Sequence, residues 1–437
     1  MLERLLGKRG GSSTGQGRKP SGKFPPRPIT VTELQQLIPL RSLSEEELNA
    51  FALTQRTETY APGSVLFERG ETEAHVLYLL RGTVTMRLND EQSYEVTAGT
   101  AKARFPLSSG EAHNTTAIAR TDVEVIRVLA KVMRKNLKDQ LEDDRLLDPN
   151  RWRAPKQLRN SQLFQAFCQN FLNEELTLPT LPDIALALRK AIEKEDIGVA
   201  EAATIVQADA SIAANLMHIA NSPLYLAANP VRTCLEAINR LGLRATCNLT
   251  LSLCMRHVFK SKDAFLCQKM RDSWQEGLHV AALAYVLAKD NHWHDPEEAF
   301  LAGLICNIGI IPFLTFADGF PKSYYQQEEI DAALPVIRGP IGYYILKKWG
   351  FPDELVEIPR RADAWHYDDD PELSLGDIVM LSRLHRCMET ARMNEVPPIN
   401  SIPACNKLRN GSLSPEYSLQ VLCDARTQVQ EILKILR

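Results

Sequence analysis

Cys306 and Asn307 stand side by side after an apolar run, residues 299–305, and their types bear directly on metal chemistry. A hard divalent ion prefers negatively charged oxygen ligands, together with imidazole nitrogen. Asn307 has the shape of an aspartate without its charge, and Cys306 offers a soft sulfur ligand. The pair therefore predicts that this segment holds no hard metal ion and that Cys306 is a buried thiol.

Two other arrangements contain residues that can bind a metal. The polar loop 292–295 carries two imidazoles, although its composition favours a surface turn. A site built from Glu276, His279 and Cys306 would make the protein an atypical metal-dependent phosphohydrolase, and this alternative stays open. Three isolated histidines beside basic or aromatic residues are expected at the surface or at helix caps: His257, His366 and His385.

The composition indicates an intracellular protein of several domains. The chain has 437 residues, 44% of them hydrophobic and 24% charged, as is typical of soluble proteins with two or more domains. A net charge of -3 gives no argument for a nucleic acid or a membrane as partner. The nine cysteines form no CxxC pair, so buried thiols in a reducing cytoplasm are expected. We expect no signal peptide and no bilayer-spanning segment.

The residue composition of the N-terminal part of the chain changes twice along the sequence. Residues 1–28 are rich in Gly, Ser, Pro, Lys and Arg, which predicts a disordered basic tail. Residues 29–135 then show short β-type runs separated by Gly63, Gly70 and Gly82, a pattern typical of an antiparallel jelly roll. The predicted strands cover residues 64–67, 76–80, 83–88 and 123–128.

The rest of the chain has the periodicity of helices. Residues 136–160 are charged and predict a helical linker, and residues 161–437 predict an all-α domain punctuated by prolines. The last segment, 415–437, follows Ser414 and carries its apolar residues on roughly one face. Packing of this segment on its own domain is favoured over a dimeric coiled coil. No Walker-type loop, GxGxxG motif, HExxH motif or serine-nucleophile signature occurs along the chain.

The spacing of residues 43–48, 61–70 and 79–82 resembles the cyclic nucleotide-binding domain family. That resemblance implies a jelly roll in which a Phe-Gly-Glu-Leu segment and a later Arg-x-Ala grip the cyclic phosphate and the ribose. The matching segment here is Phe105-Pro106-Leu107-Ser108. Pro106 lacks the N–H that the family glycine offers to phosphate, and Leu107 replaces the ribose-binding Glu.

The family arginine is also replaced, because Asn114 stands at its position. A neutral amide cannot form the charged fork that an arginine makes with phosphate. The sequence therefore predicts a jelly roll that has lost cyclic nucleotide binding. An alternative stays open in which Arg104, His113 and Asn114 bind a nucleotide or another small anion, making the domain a ligand sensor.

Five segments beyond residue 161 resemble the HDOD family of bacterial signalling proteins, a degenerate branch of the HD phosphohydrolase superfamily. They also agree with local physics, since Asp209 is suited to cap a helix and Gly242 and Gly350 to end one. Together with residues 299–309 the resemblance covers about 161–390, through the segments 178–185, 206–216, 219–225, 235–242 and 341–352.

The resemblance implies where metal ligands of an active HD enzyme would stand. Glu276 replaces one histidine, Cys306-Asn307 replaces the His-Asp pair, Arg338 replaces another histidine, and Arg361 lies in a turn that is His-rich in the family. These substitutions imply no bound metal, no cofactor and no enzymatic activity. We hypothesise that Glu276 forms an ion pair with Arg338 or Arg361.

The sequence therefore indicates a non-catalytic bacterial signal-transduction protein in the cytoplasm. Its helical domain is expected to act as a platform for other signalling or regulatory proteins, and its jelly roll to sense or dock. A signal is expected to shift the population between two arrangements of the domains about the linker. Neither a membrane nor a nucleic acid is expected as a partner.

Overall fold

The computed structural model describes residues 23–408 apart from 39, 44, 90–91, 109–112, 131–146, 150–151, 153, 194–196, 223–224, 226–228, 256–260, 262, 294, 369–370 and 389–395. Most of the predicted tail 1–28, much of the predicted linker 136–160 and the whole predicted helix 415–437 lie outside the described residues. His257 and His294 lie outside them too.

The chain divides into two compact units, and each of them is discontinuous in sequence. The jelly-roll unit comprises residues 1–142, 365–372 and 387–414, and the helical unit comprises 143–364, 373–386 and 415–437. The domain boundaries drawn above, 29–135 and 161–437, remain predictions about which parts of the chain act as separate domains.

Among the described residues of the jelly-roll unit, seven antiparallel strands form two sheets. One sheet has the order β1-β7-β3 and the other has the order β2-β6-β4-β5. Val84 and Met86 of β4 and Val125 of β7 are completely buried in one core cluster that draws on both sheets. The strands are β1 (Glu58–Tyr60), β2 (Val65–Phe67), β3 (His75–Arg81), β4 (Thr83–Arg87), β5 (Ser93–Thr97), β6 (Thr116–Ala119) and β7 (Val123–Leu129). The predicted strands and the predicted antiparallel jelly roll are confirmed.

Glycine permits the tight connection between β3 and β4. Gly82 has a φ of +87°, a conformation that side chains with a Cβ rarely adopt. A Cβ at this position would lie 2.4 Å from the carbonyl oxygen of Asp122. Glycine at position 82 is therefore required by both the backbone conformation and the close approach of the neighbouring turn.

Of the helices described over their full range, two pack beside the sheets of the jelly-roll unit, and the others follow residue 155. The first two are α1 (Val31–Leu34) and α2 (Glu45–Thr54). The others are α3 (Lys156–Arg159), α4 (Gln162–Leu172), α5 (Asp183–Glu193), α6 (Val199–Gln207), α7 (Ala210–Ala220), α8 (Cys234–Leu241), α9 (Leu243–Met255), α10 (Ala264–Asp290), α11 (Pro296–Ile305), α12 (Ile311–Ala317), α13 (Gln327–Lys348), α14 (Asp353–Val356), α15 (Ile358–Arg361) and α16 (Leu375–Met388).

Local sequence signals set several helix ends. The side chain of Asp209 accepts hydrogen bonds from the backbone N–H groups of Ser211 and Ile212 at the start of α7. Gly242, with a φ of +85°, ends α8, and Gly350, with a φ of +69°, follows α13. These caps satisfy backbone groups that the helices leave unpaired, as the sequence predicted.

The expectation that no segment reaches the length and hydropathy of a bilayer span is wrong for Pro296–Ala317. Within these 22 residues, the most apolar window of 18 residues has a mean hydropathy of 2.1, and 89% of that window is buried within the fold. It is built as α11, a 3-10 turn over Ile308–Ile310, and α12. Its burial identifies it as core, since a buried helix of a globular domain passes the same test of length and composition.

Candidate functional site

Five polar residues from five segments of the helical unit meet around the end of α11. They are Glu276 of α10, Asn307 after α11, Arg338 of α13, Asp363 after α15 and Arg383 of α16. We call this set the arginine cage. It includes three positions that the sequence singled out, Glu276, Asn307 and Arg338, and two that it did not.

Arg383 lies at the centre of the cage with a side chain only 1% exposed. Its Nη1 is 3.2 Å from Oε1 of Glu276 and donates a hydrogen bond to Oδ1 of Asn307 at 3.0 Å. Its Nε donates to Oδ1 of Asp363 at 2.6 Å. Three oxygen acceptors from separate segments thus surround one guanidinium, which supplies the donors in a fixed planar fork.

Asp363 joins two arginines, because its second carboxylate oxygen pairs with Nη2 of Arg338. The side chain of Arg338 is 8% exposed, whereas those of Asp363 and Glu276 are 37% and 28% exposed. Two buried cations are therefore balanced by two carboxylates that reach partly into solvent. Such pairing offsets the large cost of taking a guanidinium out of water.

Close backbone contact holds the 3-10 turn beside α13, and so holds Asn307 near the helix that carries Arg338. A Cβ on Gly309 would lie 2.1 Å from the carbonyl oxygen of Arg338 and 2.4 Å from the backbone nitrogen of Gly342. Helix α13 also contains Pro335 and Pro340, each of which lacks the N–H for an intrahelical hydrogen bond. The close backbone spacing at the cage therefore depends on glycine at position 309.

Cys306 lies beneath the cage and is completely buried. Burial raises the pKa of its thiol, and the nearby guanidinium groups of Arg383 and Arg338 oppose that rise only in part. The thiol is therefore neutral near pH 7. Metals are bound by the thiolate, so the neutral form is a poor ligand.

The other candidate metal ligands have local roles. His279 Nδ1 lies 2.7 Å from the carbonyl oxygen of Gln275 on its own helix. In the loop 292–295, Asp295 caps α11 by accepting from the N–H of Glu298 at 3.0 Å and pairs with Arg244 at 3.1 Å. Within the described residues, no group of three or more His, Cys, Asp or Glu side chains is arranged to hold a metal ion.

The cage itself does not fit a hard divalent ion. Glu276 and Asp363 are the carboxylates that such an ion would require, and both are in contact with the guanidinium of Arg383. Arg361, the remaining candidate position, packs against α16, where a Cβ on Gly376 would lie 2.7 Å from its Cδ. Arginine side chains therefore fill the space in which a metal ion and its ligands would have to lie.

The positions that match the cyclic nucleotide cassette are closed by packing and by a hydrogen bond. Phe105, Pro106 and Leu107 are buried. Nδ2 of Asn114 donates to Oδ1 of Asn406 at 2.7 Å, and both residues belong to the jelly-roll unit. The amide at the family arginine position is thus bound to a later segment of the same chain.

His113 and Arg104 have different surroundings. His113 is buried, stacks on the ring of Phe67 at 4.0 Å, and places Nδ1 at 2.9 Å from the hydroxyl of Ser108. Burial lowers its pKa, so the ring is neutral near pH 7. Arg104 is exposed on a 3-10 turn, and its carbonyl oxygen accepts from the N–H of Ile38 at 2.7 Å. Of the two predicted cations, His113 is therefore uncharged and part of the core.

The expectation that His366 and His385 lie at the surface or at caps is wrong. They are 4% and 7% exposed, and burial lowers the pKa of each to about 4. His366 belongs to the jelly-roll unit and interacts with the backbone of Ser401, while His385 lies on α16. The available signals of burial were the aromatic neighbours Trp365 and Tyr367 of His366 and the apolar neighbour Leu384 of His385.

Comparison with known proteins gives matches in the same order as the two folded parts. A model of the cyclic nucleotide-binding domain matches residues 57–140, and a model of the HDOD domain matches residues 178–364. The chain carries an HDOD domain. In the sequence it follows a cyclic nucleotide-binding-like domain, and this order confirms the resemblances found in the sequence.

Three relatives describe the extent of the similarity. A Shewanella amazonensis SB2B structure, named as a candidate metal-dependent phosphohydrolase, is 25% identical with a TM-score of 0.54, covering 63% of this chain and 98% of that one. An HDOD domain protein of unknown function from Geobacter sulfurreducens is 17% identical with a TM-score of 0.47, covering 62% and 97%. An uncharacterized protein of Treponema pallidum (strain Nichols) is 22% identical over 196 residues, and the chain spans only 37% of its length.

The arginine cage extends beyond the HDOD match. Glu276, Asn307, Arg338 and Asp363 lie within residues 178–364, whereas Arg383 follows on α16. Sequence reasoning missed Arg383 and its partner Asp363. A signal existed, because Arg383 is flanked on its helix by the apolar Met380, Leu381 and Leu384, and a buried arginine requires acid partners.

Proposed function

We propose that the protein is a non-catalytic regulatory protein of the bacterial cytoplasm whose HDOD domain holds signalling or regulatory proteins as partners. An HDOD domain combined with a cyclic nucleotide-binding-like domain indicates a signalling role. The loss of catalysis and the binding of partners are the parts that we propose. The jelly roll acts in this proposal by docking, without binding a cyclic nucleotide.

The buried guanidinium of Arg383 is the observation that carries the proposal. An arginine stays protonated at any physiological pH, so its charge in the cage is permanent. A divalent ion 4 Å from it would be repelled by about 8 kcal/mol at an effective dielectric constant near 20. Glu276, Asn307 and Asp363 also offer their oxygens to this cation already. These contacts support a domain that folds without a metal.

Metal analysis together with a hydrolysis assay tests this proposal. The purified full-length protein is incubated with Mn²⁺ or Mg²⁺, desalted, analysed for bound metal and assayed with bis-p-nitrophenyl phosphate. We expect no stoichiometric metal and no turnover above that of the Glu276→Gln variant. Stoichiometric metal with turnover that disappears in Glu276→Gln would show that the domain is an enzyme.

A metal-dependent phosphohydrolase is the second candidate function, because the Shewanella amazonensis relative carries that name at 25% identity. In this chain such an activity would have to use Cys306, Glu276 and His279. The first is a buried neutral thiol, the second contacts Arg383, and the third is close to its own helix backbone. The assay above separates the two candidates directly.

The ligand-sensor alternative is tested on the jelly roll. Thermal shift measurements would use cyclic AMP, cyclic GMP and cyclic dinucleotides at millimolar concentration. A ligand present at 100 times its Kd would stabilise the folded domain by about 2.7 kcal/mol. We expect no shift, because Asn114 is bound to Asn406 and His113 is a neutral core residue. A saturable shift that is lost in Arg104→Ala would support a sensor.

A further inference from the structure

Two segments that follow the HDOD match belong to the jelly-roll unit. They are residues 365–372 and 387–414, and the stretch between them, 373–386, belongs to the helical unit. That stretch contains most of α16 and therefore Arg383. The helix that brings the central cation to the cage is thus connected, at both of its ends, to chain that folds with the jelly roll.

Both flanking segments contact each other and the former nucleotide face of the jelly roll. Asn406 accepts from Asn114 at 2.7 Å, and the ring of His366 lies 6.0 Å from the ring of Phe105. Nζ of Lys407 pairs with Oδ1 of Asp368 at 3.3 Å. Phe105 and Asn114 are the positions that match the first residue and the arginine of the family cassette. The segments therefore dock where the family would hold a ligand.

The described residues of the docked segments include several that are well packed. Ile402 and Ala404 are 1% and 0% exposed, and the side chain of Lys407 is only 7% exposed in its pair with Asp368. A segment that buries apolar side chains and an ion pair has a definite docked state, and its release requires that these groups meet water again. Docked and released states are therefore distinct, as a switch requires.

We propose that the former nucleotide face is a dock for the chain's own flanking segments, and that docking controls how Arg383 sits in the arginine cage. Asp368 and Leu375 are seven residues apart, a length of chain that spans at most about 25 Å when extended. Release of the segments therefore removes a restraint on both ends of α16. When Arg383 withdraws, Glu276 and Asp363 both lose the charge of this guanidinium, and the HDOD surface becomes more acidic.

Cys306 is a reporter of this motion, because it is completely buried beside Arg383. The full-length protein is treated with iodoacetamide, and the labelling rate of each cysteine is followed by peptide mass spectrometry. The test variant is Asn114→Ala with Lys407→Ala, which removes the hydrogen bond to Asn406 and the ion pair with Asp368. Asn89→Ala is the matched control, since Asn89 is a hydrogen-bonded turn asparagine of the same unit.

We expect Cys306 to be labelled about fivefold faster in the test variant than in the wild type, as for the loss of one or two ordinary hydrogen bonds. Cys254, which is completely buried in α9, serves as the internal control and should be unchanged. An unchanged rate at Cys306 would overturn the proposal. An equal acceleration at Cys254 would overturn it as well, because it would report general destabilisation.

Hydrogen–deuterium exchange gives a second measurement on the same variants. Release of the segments should accelerate exchange in the peptide over α16 and leave α5 as in the wild type. Faster exchange in residues 396–408 without any change in α16 would show that release of the segments does not affect the helix that carries Arg383, and it would contradict the proposal. The inference stands whether or not the HDOD domain hydrolyses a substrate, so its failure is distinguishable from that of the proposed function.

Discussion

At the scale of single residues, the charge balance of the arginine cage determines which substitutions the HDOD domain tolerates. Arg383 is the largest completely buried side chain among the described residues, and three oxygens compensate its charge. Removing one partner of a buried ion pair leaves the other charge uncompensated, which costs much more than the pair itself contributes. The cage is therefore sensitive to single changes although its net contribution to stability is modest.

Arg383→Ala is expected to lower the free energy of unfolding by about 3–5 kcal/mol, because Glu276 and Asp363 lose their shared cation. Arg244→Ala is the matched control, since the side chain of Arg244 is 65% exposed and its ion pair should contribute at most about 1 kcal/mol. Urea unfolding followed by circular dichroism measures both. A loss for Arg383→Ala no larger than that for Arg244→Ala would contradict the view that the cage is an ion-pair network.

The two buried histidines make stability depend on pH. Burial lowers the pKa of His366 and of His385 to about 4, so the unfolded chain binds more protons than the folded chain between pH 4 and about 6.5. Stability is therefore expected to fall as the pH falls through this window, by up to about 3 kcal/mol for each histidine. Urea unfolding at several pH values measures the slope.

His366→Gln and His385→Gln should each reduce that slope, because glutamine does not titrate. Glu33 affects stability only at lower pH, because its hydrogen bond with Arg27 lowers its pKa to about 2. The stability that its carboxylate contributes is lost only as the pH falls from about 4.5 toward 2. An unchanged slope between pH 4 and 6.5 in both histidine variants would show that other groups dominate.

At the scale of elements, backbone contacts between the 3-10 turn and α13 help to position the cage residues, in addition to the pairing of their side chains. The 3-10 turn and α13 approach so closely that only glycine fits at Gly309, and a Cβ on Gly342 would lie 2.5 Å from Cβ of Pro359 on α15. A larger residue there would push Asn307 away from Arg383, to which it is hydrogen-bonded at 3.0 Å. The glycines thus determine the geometry of the ion pairs from a distance.

Gly309→Ala is expected to destabilise the protein by about 2–4 kcal/mol, because its Cβ would meet the backbone of Arg338 at 2.1 Å and the backbone cannot move aside cheaply. Gly198→Ala is the control, since nothing lies within 4 Å of a Cβ there and its cost should stay below about 1 kcal/mol. Thermal unfolding compares the two variants. Equal effects would show that the turn and α13 are free to separate.

The sequence predicted the elements better than the cage. Strands, turn glycines and helix caps depend on neighbouring residues, and Gly82, Asp209 and Gly242 were all identified from local pattern. Arg383 and Asn307 are 76 residues apart, and no local pattern encodes such a contact. The structure pairs Glu276 with Arg383, which the sequence did not indicate, and the hypothesis of a pair between Glu276 and Arg338 or Arg361 stays a prediction.

At the scale of the whole molecule, the two units share the chain in an alternating order. The HDOD match ends at residue 364, yet the cage is completed by α16, and the segments on either side of α16 belong to the jelly-roll unit. The stability of the helical unit therefore depends on residues beyond the family boundary.

A chain that ends at residue 372 is expected to melt roughly 10 °C or more below the full-length protein, because it lacks Arg383. A chain that starts at residue 23 is the control and should melt with the full-length protein, since the tail is predicted to be disordered. Differential scanning calorimetry measures both. Equal melting temperatures for the chain ending at 372 and the full-length protein would mean that α16 is dispensable for folding.

The interleaving of the two units also bears on how such a gene can be recombined. A crossover placed at residue 364 would move an HDOD segment into a new host without the arginine that neutralises Glu276 and Asp363. A jelly roll cut after residue 142 would likewise leave without Asn406, the partner of Asn114. Neither unit is a portable cassette, so we expect the pair to be inherited and duplicated together.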